Sequence, residues 1–254
     1  MRFQNLKQLL NLFLFICAIS GIAGSCTTTY NVSSKQDSYL KIDSKLDSQS
    51  SNKMDSIINP YKTTLDKIMN EVIGYSDGLS ISKPESTLGN WVADALESNA
   101  ENLTGTEVAF AVQNHGGVRI REIPAGPVTL SKIYELMPFE NYLTLVTADG
   151  KIVSEFLNRI AKYGGWPVSK SLSFRIEGET AKDILIDGKP LDPDSSYILA
   201  MPDYVANGGD DCFFFEPLPK NNTEYLIRDI LINEVKKLTS DNKHISAKNE
   251  GRIK

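Results

Sequence analysis

Apolar positions along the chain follow two rhythms. Residues 108–112, Val-Ala-Phe-Ala-Val, form a continuous apolar run of strand length and predict a buried strand. Residues 197–201 have the same character, and residues 142–147 also read as a strand. Elsewhere the apolar spacing is three and four. Leu88, Val92, Ala95 and Leu96 share one face of a helix that begins near Pro84-Glu-Ser-Thr and runs to about Ala100. Ile152, Val153, Phe156 and Ile160 do the same in a helix from an Asp149-Gly150 turn to about Tyr163. Leu226, Ile230 and Val235 mark a last helix over roughly residues 223–238. Met54, Ile57, Ile58, Tyr61, Leu65, Ile68 and Met69 predict another over residues 51–71. Pro60 should break or kink that one, so the helix is expected from Tyr61. Residues 72–82 read as a strand with turn residues at Gly74 and Gly78, and residues 171–177 and 183–187 as a hairpin pair, with Asp187-Gly188 as a second turn. Gly89 lies inside a helix at a cost of about 1 kcal/mol relative to alanine, which predicts a close approach of another backbone there. Strands and helices alternate irregularly, so the fold class is mixed α/β, or α+β.

The first fifty residues break both rhythms. Arg2 and Lys7 precede an apolar stretch over residues 9–22, and Ala23-Gly-Ser-Cys26 closes it with small residues. That is a secretory signal pattern. A cysteine directly after small residues resembles a bacterial lipobox, which would make Cys26 the first mature, lipidated residue and hold the chain at a membrane by acyl chains. Residues 27–50 are rich in Thr, Ser, Asn, Asp, Gln and Lys and read as a disordered tether. The organisation expected is therefore a signal over 1–26, a tether over 27–50 and a folded domain over 51–254, at the bacterial envelope.

Composition narrows the options. With 41% hydrophobic residues in 254, a sizeable core is available. A net charge of −5 argues against a nucleic-acid binder that works by neutralising phosphates. Of three cysteines, Cys17 lies in the signal and Cys26 at its end. Cys212 alone would remain, as a small buried hydrophobe rather than half of a disulfide.

Candidate chemistry gathers in two loops. Gln113-Asn-His-Gly-Gly-Val-Arg119 follows the strand at 108–112. Gly116 and Gly117 let a backbone come close to a ligand, and Arg119 presents a guanidinium suited to phosphate or carboxylate. Thr129 can cap a short helix over about 130–136, which delivers Pro138-Phe139 at its end. The second loop, Met201-Pro-Asp-Tyr-Val-Ala-Asn-Gly-Gly-Asp210, follows the strand at 197–201. Two loops, each with its own aromatic, suggest the walls of a slot for a planar ligand.

These motifs carry a resemblance. Glu85-Ser-Thr-Leu-Gly-Asn90, Asn114-His-Gly-Gly-Val-Arg119, Pro124-Ala-Gly-Pro-Val-Thr129, Met137-Pro-Phe139 and Tyr204-Val-Ala-Asn-Gly-Gly-Asp210 look like the C-terminal domain of the 5'-nucleotidase family, in order and in spacing. The closing Glu-Gly-Arg-Ile-Lys254 is similar to the family's ending. The resemblance covers about residues 68–254. It implies a layered α/β/β/α-type sandwich that binds the nucleoside part of a nucleotide. Phe139 and Tyr204 would sandwich the base. Asp210 would accept hydrogen bonds from the ribose. Asn114 and Arg119 would contact base or sugar and phosphate, while Gly117, Asn207, Gly208 and Gly209 would shape the loops. Asn90 could face the ligand loops.

There are departures. His115 stands where the family usually has glycine, and Ser82-Lys83-Pro84 where it often has arginines for the phosphate. Lys83 could substitute only as a less directional charge. Family enzymes hydrolyse with a separate two-metal domain rich in histidine and aspartate. Only His115 and His244 occur here. The expectation is thus no catalytic and no metal-binding residue in this chain, with divalent metals supplied by a separately encoded metallophosphoesterase. A stand-alone nucleoside- or nucleotide-binding lipoprotein and a degenerate structural module are the alternatives.

Overall fold

The computed structural model describes residues 34–37, 39 and 52–254. The predicted signal, Cys26 and most of the predicted tether lie outside the described residues. The chain divides into Met1–Asn52 and Lys53–Lys254, and the architecture below is that of the second unit.

The elements begin with helix α1 (Asn52–Met69), strands β1 (Val72–Ser76) and β2 (Leu79–Ser80), helix α2 (Thr87–Thr104) and strand β3 (Phe110–Ala111). Next come β4 (Glu122–Ile123), β5 (Gly126–Thr129), α3 (Leu130–Leu136), β6 (Tyr142–Asp149) and α4 (Gly150–Lys162). Strands β7 (Leu172–Glu177), β8 (Thr180–Ile186), β9 (Lys189–Pro190) and β10 (Ser196–Pro202) follow, then α5 (Asp203–Ala206), β11 (Lys220–Leu226) and α6 (Ile227–Ser240). The mixed α/β class is as expected.

A four-stranded sheet in the order β11-β6-β10-β3 forms the centre. Strand β6 runs antiparallel to both neighbours, whereas β10 and β3 run parallel, with Leu199 opposite Phe110 and Ala200 opposite Ala111. Successive side chains on a strand point to opposite faces. Leu143 and Leu145 of β6 therefore join one core, with Leu88, Val92 and Leu96 of α2 and Ile230, Leu231 and Val235 of α6. Val146 and Ala148 join the other, with Val153, Phe156 and Ile160 of α4 and with Leu172, Phe174 and Ala181 of the β7-β8-β9 sheet. The sheet is thus buried on both sides at β3, β6 and β10, which is why β3 and β10 read as apolar runs, whereas the edge strand β11 is polar and largely exposed.

Local signals explain the boundaries. The Ser86 hydroxyl accepts the Gly89 N–H at 3.0 Å and starts α2, and Gly105, left-handed at φ 66°, ends it. The Asp149 carboxylate accepts the Ile152 N–H at 2.9 Å, so the predicted Asp149-Gly150 turn is instead a direct join of β6 to α4. Asp187 and Gly188 both have positive φ, as a tight hairpin turn between β8 and β9 requires. Gly89 does meet a close neighbour, but it is the Pro167 side chain rather than a backbone.

Four other expectations change. Helix α1 runs unbroken through Pro60. It is exposed along most of its length, so the helix takes up the proline at its surface rather than against a packed core. Its apolar residues Met54, Ile57, Ile58, Tyr61, Leu65 and Ile68 are all exposed. The strand expected over 72–82 is two strands, and Gly74 lies within β1, paired with Val128, rather than in a turn. Thr129 occupies the cap position of α3, but its hydroxyl pairs with Ser131 and caps no N–H. Residues 223–226 belong to β11, so the last helix starts only at Ile227. Leu226 pairs with Tyr142 of β6 after a bulge, and the Thr223 hydroxyl donates to the Leu143 carbonyl at 2.6 Å, which overrides the helical spacing there.

Candidate functional site

Because β3 and β10 are parallel neighbours, the loops after them emerge at the same edge of the sheet. The Val112 N–H still donates to the Ala200 carbonyl at 2.9 Å, one residue beyond β3. From there the first loop runs through Asn114 into a short 3₁₀ turn over His115–Gly117. The second runs through α5 to Gly208, at φ 93°, and Asp210, held left-handed at φ 52° and ψ 41°. The Arg119 N–H donates to the Leu136 carbonyl at 3.0 Å, which ties the first loop to the end of α3. Phe139 follows that helix end, so three segments converge.

They enclose an open cavity of about 340 Å³ lined by Asn114, Gly116, Gly117, Arg119, Phe139, Asn141, Tyr204 and Asp210. Phe139 is 42% exposed and Tyr204 48%, so both rings are available at the cavity rather than consumed by the core. The Arg119 guanidinium lies over the Phe139 ring, 5.5 Å from its centroid, and donates to the Gly116 carbonyl at 3.2 Å. Asn114 Nδ2 donates to Asp210 Oδ2 at 2.7 Å, and the Tyr204 hydroxyl donates to Asp210 Oδ1 at 3.2 Å. Both loops are therefore joined through one carboxylate. Gly117 makes room for this arrangement: a Cβ on it would come within 2.1 Å of Gln113 Nε2 and 2.8 Å of Asn114 Oδ1, so both amides would have to shift.

Of the residues singled out from the sequence, Phe139, Tyr204, Asp210, Asn114, Arg119 and Gly117 all line this one cavity. Asn207 does not. It is exposed and ends α5, its N–H donating to the Asp203 carbonyl at 2.9 Å. Asn141 was not anticipated; its only signal was its place two residues after Phe139. Asn90 faces neither the ligand loops nor solvent. It is buried, and Nδ2 donates to Glu85 Oε1 at 2.7 Å and to the Lys248 carbonyl at 2.8 Å.

The rim is polar. Lys83 Nζ donates to the Tyr163 carbonyl, and the Tyr163 hydroxyl donates to Asp211 Oδ2, which also pairs with Arg159. Burial and the Lys83 ammonium hold the His115 imidazole below its ordinary pKa, so it stays uncharged at neutral pH. Burial raises the Tyr204 phenol and pushes the Cys212 thiol up to about 12. Cys212 is fully buried among apolar side chains, as expected. Among the described residues no group of three or more His, Cys, Asp or Glu could hold a metal ion. His244 pairs with Asp77 instead. The donor set for a dinuclear centre does not fit these residues.

The model of the 5'-nucleotidase C-terminal domain family matches residues 68–217. The trifunctional nucleotide phosphoesterase protein YfkN of Bacillus subtilis is 28% identical over 219 residues, covering 78% of this chain and 15% of that protein. A 5'-nucleotidase of Vibrio parahaemolyticus is 32% identical over 130 residues, half of this chain and 22% of that protein. The crystal structure of a 5'-nucleotidase precursor from Thermus thermophilus superposes with a TM-score of 0.66 at 25% identity, over 78% of this chain and 42% of that one. The chain thus spans less than a quarter of these curated relatives and less than half of that solved structure.

Proposed function

Because this chain belongs to the 5'-nucleotidase C-terminal domain family, we propose that its described unit is the nucleoside-recognising half of a 5'-nucleotidase-type phosphohydrolase. The observation that carries this is the convergence of two exposed aromatic rings, a carboxylate and a guanidinium on one cavity at the ends of two parallel strands. Phe139 and Tyr204 stack on the faces of a base. Any base suits such a slot, since each has a π-face, and stacking contributes about 1–3 kcal/mol per base. Asp210 has lone pairs left after its bonds to Asn114 and Tyr204, and these accept the ribose hydroxyls. Arg119 swings from the Phe139 ring to the phosphate, where its fork of donors meets two oxygens.

Hydrolysis then needs a metallophosphoesterase, separately encoded, that docks beside the cavity and supplies the metals. This chain binds and orients the nucleotide. Its place is the bacterial envelope, held there by lipid on Cys26. One observation favours a second reading, a binding protein for nucleosides alone: Lys83 stands where arginines are usual, and its ammonium is already engaged by the Tyr163 carbonyl.

Calorimetric titration of the full chain in detergent with adenosine and AMP tests both. Saturable binding that Phe139→Ala or Tyr204→Ala abolishes supports the nucleoside slot. Tighter binding of AMP favours the nucleotidase half, and equal affinity favours the nucleoside binder. Binding of no nucleoside or nucleotide with any base would sink both.

A further inference from the structure

The polar chain that ends at the cavity begins in the core. Gln113 follows β3 and is 1% exposed, and its backbone N–H donates to the Pro167 carbonyl at 3.0 Å. Its Nε2 donates to Asn114 Oδ1 at 2.9 Å. Asn114 passes the interaction on to Asp210, and Tyr204 meets the same carboxylate from the other loop.

The direction of this chain is dictated from its far end. A carboxylate only accepts, so Asn114 must turn its NH₂ toward Asp210. Its carbonyl then faces Gln113, which must answer with its own NH₂. In doing so Gln113 leaves Oε1 buried with no partner among the described residues. A glutamine free to choose would satisfy both ends. The absence of a Cβ on Gly117 leaves the space that Nε2 occupies.

We infer that Gln113 is a positioning residue for the nucleoside site: it locks the Asn114 amide in the one orientation that holds the Asp210 carboxylate ready for the ribose diol. The inference rests on the proposed nucleoside reading of the cavity. Gln113 touches no ligand itself. It acts through Asn114 on the Asp210 carboxylate, so its main effect falls at the sugar end of the slot, with a smaller one on Tyr204, whose hydroxyl meets the same carboxylate.

The test is a set of titrations of the full chain in detergent with adenosine and 2',3'-dideoxyadenosine. The wild type prefers adenosine. Gln113→Met, close in shape but unable to donate, lowers that preference by about three- to tenfold, the worth of one net hydrogen bond. It leaves affinity for the dideoxy compound within about twofold. On an Asn114→Ala background, Gln113→Met changes the preference no further. A preference that survives Gln113→Met overturns the inference, and so does a loss of equal size on the Asn114→Ala background.

Should Gln113→Met fail to fold, Gln113→Glu carries the test. Its carboxyl can donate to Asn114 only when protonated, so the sugar preference must be lost at high pH and recovered as pH falls. A preference insensitive to pH overturns the inference. Nuclear magnetic resonance of the Asn114 side-chain amide gives a readout that needs no ligand. Its Nδ2 protons are hydrogen-bonded in the wild type and released in the Gln113 variants. Unchanged amide signals would overturn the positioning role even if no nucleoside binds, which separates its failure from that of the nucleoside reading.

Discussion

Phe139 and Tyr204 do different work at the cavity. Phe139 presents only a face. Tyr204 presents a face and a hydroxyl, and the hydroxyl is bonded to Asp210. Phe139→Ala and Tyr204→Ala each remove a stacking surface, and adenosine affinity is expected to fall by about 5- to 150-fold, matching about 1–3 kcal/mol. Tyr204→Phe keeps the stack and loses one hydrogen bond, so its loss stays near tenfold or below. Equal losses for Tyr204→Ala and Tyr204→Phe in the same titration would show that the ring does not stack. Arg119 separates nucleotide from nucleoside. Arg119→Ala should weaken AMP by about tenfold or more, since hydrogen bonds to charged groups contribute about 1.5–3 kcal/mol, and leave adenosine nearly unchanged. An identical loss for both would place Arg119 on the nucleoside instead. These residues were legible because their types are unusual together: aromatics and acids beside glycine pairs after apolar runs. Asn141 and Gln113 were not, because an asparagine and a glutamine carry no signal until their partners are known.

Among the elements, the most instructive is the segment before α2. The sequence suggests that Asn90 could face the ligand loops, yet it and Glu85 hold residues 248–252. Glu85 accepts the N–H groups of Glu250, Gly251 and Arg252 at 2.8, 2.9 and 3.0 Å, besides Asn90 Nδ2. Arg252, 5% exposed on its side chain, then pairs with both oxygens of Asp94 and donates to the Val168 carbonyl at 2.9 Å. Val168 bridges to Val112, two residues before Asn114. The closing residues of the chain thus brace the strand that aims the first loop. Glu85→Ala removes the acceptor of four donors, three of them partly buried, which should cost about 3 kcal/mol. At about 2–4 °C per kcal/mol for a unit of this size, the thermal midpoint falls by about 6–12 °C. A shift under about 2 °C, read by circular dichroism, would mean that water replaces the carboxylate without penalty.

For the molecule as a whole, alkaline stability reports on how tightly the second loop packs against the core. The Cys212 thiol moves from 9.0 to about 12 on folding, because burial disfavours the thiolate. The folded pKa is the higher one. Below pH 9 both states hold the proton and the contribution is intact. Between pH 9 and about 12 the unfolded chain releases a proton that the folded chain keeps, so stability falls as pH rises. The raised Tyr163 and Tyr204 phenols act in the same direction. Cys212→Ala should therefore flatten, without abolishing, the decline of the thermal midpoint above pH 9. An unchanged slope would show that the thiol is not buried in solution.

Composition and spacing alone settled the mixed α/β class and the buried strands β3 and β10, and the family resemblance added six residues that line the cavity. They could do so because those features are local: a strand buried on both faces needs a continuous apolar run, and a turn at positive φ favours glycine, asparagine or aspartate. Three features needed long-range pairing. Residues 223–226 are strand because they continue β11, which pairs with β6 at residues 220–222 and again, after a bulge, at Leu226. Asn90 is buried because Glu85 and the far C-terminal segment enclose it. The two loops form one site because β3 and β10, some ninety residues apart in the chain, lie parallel and adjacent. Partners that distant leave no periodicity behind, so only the folded chain could specify them.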